Sequence, residues 1–219
     1  VITFYVNLEY DMWKKTHTWL GLPLFIAAVH AFIVTSTFDE SQLLKAYMFC
    51  IFAIGIYAFL FRLFRKYIKP PSYEYTVEAI DIQPAAILIY LTPTDKHIRY
   101  EPGQFAYIQF FHRGISPESH PFSIVTAPES NNIIFGIKSL GDYTETLKLL
   151  EVGAKARIEG AYGRFSYRFM NTTRYVWIAG GIGVTPFLSM LQSLKPNHIL
   201  NVDFFYCVKD QKEALFGQE

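Results

Sequence analysis

The chain has 219 residues, a formal net charge of +1 and 51 % hydrophobic residues. That length allows one large domain or two modest ones, and the near-neutral charge excludes nucleic acid or a strongly acidic partner as the obvious target. Its two cysteines, Cys50 and Cys207, exclude a disulfide framework and a zinc cluster, and each reads as a small buried hydrophobe.

In chain order, the opening residues Val1-Ile2-Thr3-Phe4-Tyr5-Val6 resemble the end of a spanning segment. Residues 18–38 contain no Asp, Glu, Lys or Arg, and as a helix at ~1.5 Å per residue they reach about 30 Å, the thickness of a hydrocarbon core. An acidic loop with Asp39 and Glu40 follows, and then a second apolar run over 43–61 that carries only Lys45. The pattern predicts a transmembrane hairpin. Lys14 and Lys15 precede it, and Arg62, Arg65, Lys66 and Lys69 follow it, so both outer ends are expected on the cytoplasmic side.

Pro70-Pro71-Ser72 forms a stiff junction, after which the periodicity becomes that of short strands. Strands are predicted over 73–80, 86–91, 105–111, 122–125, 133–139 and 155–159, separated by turn formers such as Pro102-Gly103 and Asn131-Asn132. They suggest a small antiparallel barrel, with a short helix over 144–150. After Asn171 the apolar run 175–179, the glycines Gly180, Gly181 and Gly183, the helical pattern 184–194 and the run 202–208 form a strand–helix–strand unit. The end, Phe216-Gly217-Gln218-Glu219, reads as an early turn of a helix, so a longer protein is expected.

Two histidines mark the first predicted span, His17 immediately before it and His30 within it. His17 and His30 are 13 residues apart (30 − 17), about 20 Å along a helix, and imidazole is a strong axial ligand for haem iron. At about 100° per residue an ideal helix does not align the two, and Pro23 between them offers a kink that could bring them round. His97, His112 and His198 fall in or near loops and read as surface residues. Gly180, Gly181 and Gly183 follow a buried strand and open a helix, an arrangement that lets backbone approach a pyrophosphate. Thr185-Pro186 puts proline in the tolerant first turn. Lys209 and Lys212 could meet a 2′-phosphate, whereas Asp210 would oppose it.

Four segments together resemble the membrane flavocytochromes of the NADPH oxidase and ferric reductase type, in a bacterial form. They are Tyr10-x-x-Trp13-x-x-x-His17, then His30, His120-Pro121-Phe122-Ser123, and the glycine motif from Gly180. The resemblance implies a membrane α-helical hairpin, the last two spans of a six-span haem domain, followed by a ferredoxin-reductase-like module. That module would comprise an antiparallel β-barrel flavin domain and an incomplete α/β nucleotide-binding domain. The implied division is 1–69 for the haem-binding segment, 70–170 for the flavin domain and 171–219 for the nucleotide domain.

By the same resemblance His17 holds an inner and His30 an outer b-type haem, each with a second histidine from spans outside this chain. Phe122 stacks on the flavin ring and Ser123 bonds its redox-active nitrogen, with His120 and Pro121 in the same element. Lys138, Ser139, Gly141, Tyr143 and Thr144 belong to a second flavin element, where hydroxyls and backbone N–H groups seat phosphate. Gly163 marks the turn at the barrel's exit. Gly180, Gly181, Gly183, Thr185 and Pro186 face the nucleotide.

The implied cofactors are FAD, two haems b, and NADPH or NADH as donor. The implied partners are a small-molecule electron donor and acceptor and membrane lipid, with no nucleic acid. The expected function is transmembrane electron transfer from cytosolic NAD(P)H to an outer acceptor, with dioxygen giving superoxide. Ferric-chelate reduction is the alternative; a haem-free, membrane-tethered flavin reductase serving a separate protein is another.

Overall fold

The structure is a computed structural model that describes Thr16, His17, residues 19–34, 41–65, 70–195 and 200–211, Ala214 and Leu215. Tyr10, Trp13, Lys14, Lys15, the 39–40 loop, Lys66, Lys69, His198, Lys212 and both chain ends lie outside the described residues. The chain divides into two compact units, Val1–Lys69 and Pro70–Glu219.

The first unit holds α1 (Gly21–Val34) and α2 (Gln42–Arg65). Ser41 precedes α2, and its Oγ accepts from Leu44 N at 3.3 Å, a side-chain cap that sets where the helix begins. Residues 42–64 are long and apolar enough to cross a membrane, whereas the shorter α1, apolar over 21–31, falls below that length. The two helices pack through glycine. A Cβ on Gly21 would meet the Phe59 ring, and one on Gly55 would lie 2.9 Å from Leu24 Cδ2. Gly21, Leu24 and the buried Ala28 therefore form the stripe of α1 that faces α2, a close approach of the small-residue kind. Pro23 sits in the first turn of α1, where its missing N–H costs no bond, so the expected mid-helix kink is absent. The break lies before it, in the turn at Trp19 and Leu20.

In the second unit six antiparallel strands form one sheet, ordered β4-β3-β6-β1-β2-β5. They are β1 (Ser72–Ile82), β2 (Ile87–Pro93), β3 (Phe105–Phe111), β4 (His120–Ser123), β5 (Ile133–Ile137) and β6 (Lys155–Tyr162). Alternation does the sorting. Along β3, Ala106, Ile108 and Phe110 are fully buried while Tyr107 and Phe111 face out. The outer strands approach each other through an Ile124–Phe135 bridge and a Val125 N–H to Ile134 O bond of 2.9 Å, closing the sheet into a near-barrel. Between β5 and β6 lies α3 (Asp142–Thr146) with a 3₁₀ turn at Leu147–Leu149.

A parallel pair follows, β7 (Arg174–Gly180) and β8 (Asn201–Cys207), joined by α4 (Thr185–Gln192). Trp177, Phe187, Met190 and Val184 share a second core with Ala85, Ala86 and Leu88 from the barrel side, so barrel and α/β unit are packed on each other. Among the described residues nothing covers the other side of β7–β8, leaving Val176, Ile178 and Phe205 at 61 %, 68 % and 56 % exposure. Every strand predicted from the sequence is present. The cysteine reading is corrected. Cys50 lies exposed on α2 and Cys207 on the bare side of the sheet, and both are free thiols.

Candidate functional site

Strand β4 is held by β3 in a register that sets Ser123 opposite Phe105 and His120 opposite Ile108, and Phe105 in turn faces Tyr162 of β6. The His120–Ser123 element and the 160–163 turn therefore flank β3 on either side, level with Phe105. Gln104 Nε2 donates to Gly163 O at 2.8 Å, tying the Pro102-Gly103 turn to the same corner. That turn is more than a hairpin connector: Gly103 has φ +89°, and a Cβ there would run into Phe165 O and Met190 Cε.

His120 is covered. The Tyr143 ring stacks on its imidazole with centroids 3.8 Å apart. Its Nε2 lies 3.2 Å from Glu118 Oε2, and Ser116 Oγ donates to the other carboxylate oxygen at 2.8 Å. Burial, and secondarily the Glu118 charge, push the Tyr143 phenol up to about 12. Glu118 did not stand out in the sequence. The available signal was its spacing, since residues two apart in extended chain point the same way.

The hydroxyls differ in availability. Ser123 is half-buried at the end of β4. Ser139 Oγ is buried and has no partner among the described residues. Thr144 Oγ1 is engaged, accepting from Leu140 N at 2.9 Å and Gly141 N at 3.0 Å and donating to Gly141 O at 2.8 Å. Thr144 therefore shapes the 138–144 turn. Lys138 lies at the start of this turn, and Pro121 is exposed on β4.

At the end of β7 the chain enters a 3₁₀ turn over Gly181–Val184 and then α4. Added Cβ atoms on Gly141, Gly180, Gly181 and Gly183 would meet nothing within 4 Å. Glycine at these four positions leaves bare backbone facing open space. Thr185, only 4 % exposed, turns inward: its Oγ1 donates to Ile182 O at 3.0 Å. Its methyl would lie 3.1 Å from a Cβ on Gly136 of β5. Pro186 occupies the first turn of α4, where no N–H is needed. The orphaned Ser139 hydroxyl near Gly141 and the bare backbone at Gly180, Gly181 and Gly183 fit phosphate-bearing ligands.

The structure places His30 on α1, exposed and nine residues beyond Gly21, which at about 100° per residue is the face opposite α2. His17 is half-buried in a short helical turn before the break. Among the described residues no group of three or more His, Cys, Asp or Glu could hold a metal ion. The surface reading of two other histidines is corrected. His97 is wedged between the Tyr75 and Tyr100 rings with Nδ1 2.7 Å from Ile98 O, and His112 is half-buried with Nε2 3.5 Å from Glu151. Lys209 and Asp210 are exposed just after β8.

The near-barrel followed by a glycine-led parallel strand–helix–strand has a ferredoxin-reductase-like fold. Residues 75–174 match the FAD-binding domain family FAD_binding_8. The chain resembles curated relatives that include NADPH oxidases and a ferric reduction oxidase. It is 30 % identical over 156 residues to respiratory burst oxidase homolog protein F of Arabidopsis thaliana, covering 60 % of this chain and 16 % of that one. It is 32 % identical over 134 residues to NADPH oxidase 3 of Rattus norvegicus, covering 55 % of this chain and 23 % of that one. Ferric reduction oxidase 8, mitochondrial, of Arabidopsis thaliana is 32 % identical over 115 residues, covering 47 % and 16 %. The chain thus spans less than a quarter of the length of these relatives. Among solved structures, the flavohaem-like FAD/NAD-binding domain of nitric oxide dioxygenase from Vibrio cholerae aligns with TM-score 0.58 at 21 % identity over 68 % of each chain, a likeness of fold.

Proposed function

We propose that this chain belongs to a transmembrane electron-transfer enzyme. In this reading cytosolic NAD(P)H feeds FAD, two b-type haems follow, and dioxygen on the outer side is reduced to superoxide. The carrying observation is that the buried, partnerless Ser139 hydroxyl and the bare glycines at 180–183 belong to one packed unit.

In this reading residues 70–170 hold the flavin. Phe122 lies along its ring, Ser123 offers a hydroxyl to it, and His120, Lys138, Ser139, Gly141, Tyr143, Thr144 and the Gly163 corner surround the phosphates. Residues 171–219 take the nucleotide, with the backbone of Gly180, Gly181 and Gly183 against its pyrophosphate and Thr185-Pro186 fixing the helix behind it. Residues 1–69 lie in lipid, with His17 and His30 as iron ligands. His30 faces away from α2, which leaves room for a porphyrin on that side of α1. A bound flavin supplies the conversion between a two-electron donor and one-electron acceptors, and haem iron supplies one-electron relays. The protein contributes spacing, burial and axial ligands.

Ferric-chelate reduction is the second reading, supported by the resemblance to a protein named as a ferric reduction oxidase. The test is an absorption spectrum of the full-length protein under NADPH, with superoxide trapping. A Soret band that NADPH reduces, together with trapped superoxide, is the expected result. Flavin absorption without a Soret band would leave the haem-free flavin reductase. Haem content that survives His30→Leu unchanged would remove the ligand assignment.

A further inference from the structure

The strand that carries Ser123 and the helix that follows the glycine motif are bolted together three and four residues away from their functional ends. Thr126, three residues beyond Ser123, is 5 % exposed, and its carbonyl accepts from Ser189 Oγ at 2.5 Å. Ser189 lies on α4 four residues after Thr185 and is fully buried. Tyr100 OH reaches the same carbonyl at 3.2 Å and Ala127 O at 2.8 Å. Gln192, one helical turn beyond Ser189, accepts from Ala127 N at 3.3 Å.

A buried serine among Val184, Phe187 and Met190 is a cost to folding unless its hydroxyl is satisfied. Apolar contact alone would hold the two elements face to face yet let them slide, because it has no direction. Hydrogen bonds to one carbonyl from two sides fix the register. Thr126 lies about 10 Å along extended chain from Ser123, and Ser189 about 9 Å along the helix from Gly183. A slip at this point therefore reaches both binding elements undiminished.

We propose that Ser189 and Tyr100 are positioning residues that set the distance between the flavin strand and the nucleotide cradle. The inference rests on the functional reading above, in which NADPH is oxidised by two electrons to NADP⁺ and the flavin is reduced by the same two. Neither side chain touches a cofactor. Both act through the Thr126–Ala127 backbone.

The test uses the full-length protein as wild type, Ser189→Ala and Tyr100→Phe. Each variant leaves Thr126 O one remaining donor, so the carbonyl is not orphaned. Ser189→Ala is expected to bind FAD and NADPH within about twofold of wild type, while anaerobic flavin reduction by NADPH slows about tenfold or more. In the flavin-free protein, amide exchange across 123–127 and 183–189 is expected to quicken. Tyr100→Phe should move the same readouts in the same direction, and it keeps the test available should Ser189→Ala misfold. Unchanged reduction and exchange in a folded variant would overturn the proposal, as would a lowered Tm with an unchanged reduction rate. A wild-type flavin that NADPH does not reduce would instead remove the functional reading, and this inference with it.

Discussion

The Tyr143 ring lies on the His120 imidazole, centroids 3.8 Å apart and planes 26° from parallel, and the Glu118 segment touches both. Glu118 Oε2 is 3.2 Å from the imidazole, and the Glu118 carbonyl accepts from the Tyr143 phenol at 3.5 Å. His120, the first residue of the proposed flavin element, is thus oriented from two sides. Removing the stack by Tyr143→Ala should weaken FAD binding by roughly 1 kcal/mol, about fivefold, while Tyr143→Phe keeps it. Fluorescence titration of flavin-free protein reads this, and equal affinities for Ala and wild type would sink it.

Gly183 separates folding from binding. Its neighbourhood is open, so Gly183→Val is expected to keep the wild-type Tm to within a few degrees. In the proposed reading the same side chain would stand where a pyrophosphate approaches, so NADPH affinity should fall at least about tenfold. Calorimetric titration beside a thermal melt distinguishes the two effects.

Gly136 behaves in the opposite way. A Cβ there would lie 3.1 Å from the Thr185 methyl, 3.4 Å from Leu88 Cδ2 and 3.6 Å from Val125 Cγ2. Gly136→Val therefore presses β5 against the start of α4, with an expected loss of about 1–3 kcal/mol in denaturant midpoint analysis. An undiminished midpoint would mean that α4 can retreat freely.

Burial pushes the phenols of Tyr75 and Tyr100 up to about 12 from an ordinary 10. Both are raised, so the stability they hold is fully present below pH 10 and is lost as pH climbs toward 12. The linkage is worth roughly 2–3 kcal/mol per group. Tyr100→Phe should flatten the alkaline fall in Tm between pH 10 and 12, although it lowers stability at neutral pH by removing the bonds to Thr126 and Ala127.

Arg168 joins three loops: its NH1 sits 3.0 Å from Glu101 Oε2 and its NH2 3.2 Å from Glu129 Oε1. The carboxylates are substantially exposed, so Arg168→Met is expected to cost no more than about 1 kcal/mol, and less at high salt. Desolvation pushes the Glu129 carboxyl up, but its own backbone N–H, then the Arg168 hydrogen bond and charge, hold it below its ordinary range. The pair's share of stability is therefore present above the ordinary carboxylate range and fades as pH falls through it.

The strands were legible because alternation and turn formers agree along most of this chain. Residues 105–111 form β3 as predicted, and 133–137 of the longer predicted run form β5. The His120–Ser123 string and the glycines from Gly180 drew attention because they carry local signatures. Ser189, Tyr100 and Glu118 were not, since their roles come from partners brought near by folding. A serine four residues into a helical pattern looks like any other until a carbonyl from 63 positions away meets it. The cysteines misled for a related reason: residue type suggests burial, but only neighbours confer it.

The bare side of β7–β8 has a practical cost. Val176, Ile178 and Phe205 give any soluble fragment made from residues 70–219 an adhesive stripe beside an unpaired backbone edge. Such a fragment should clump at working concentrations, and threonine or lysine at those three sites should keep it monodisperse in light scattering.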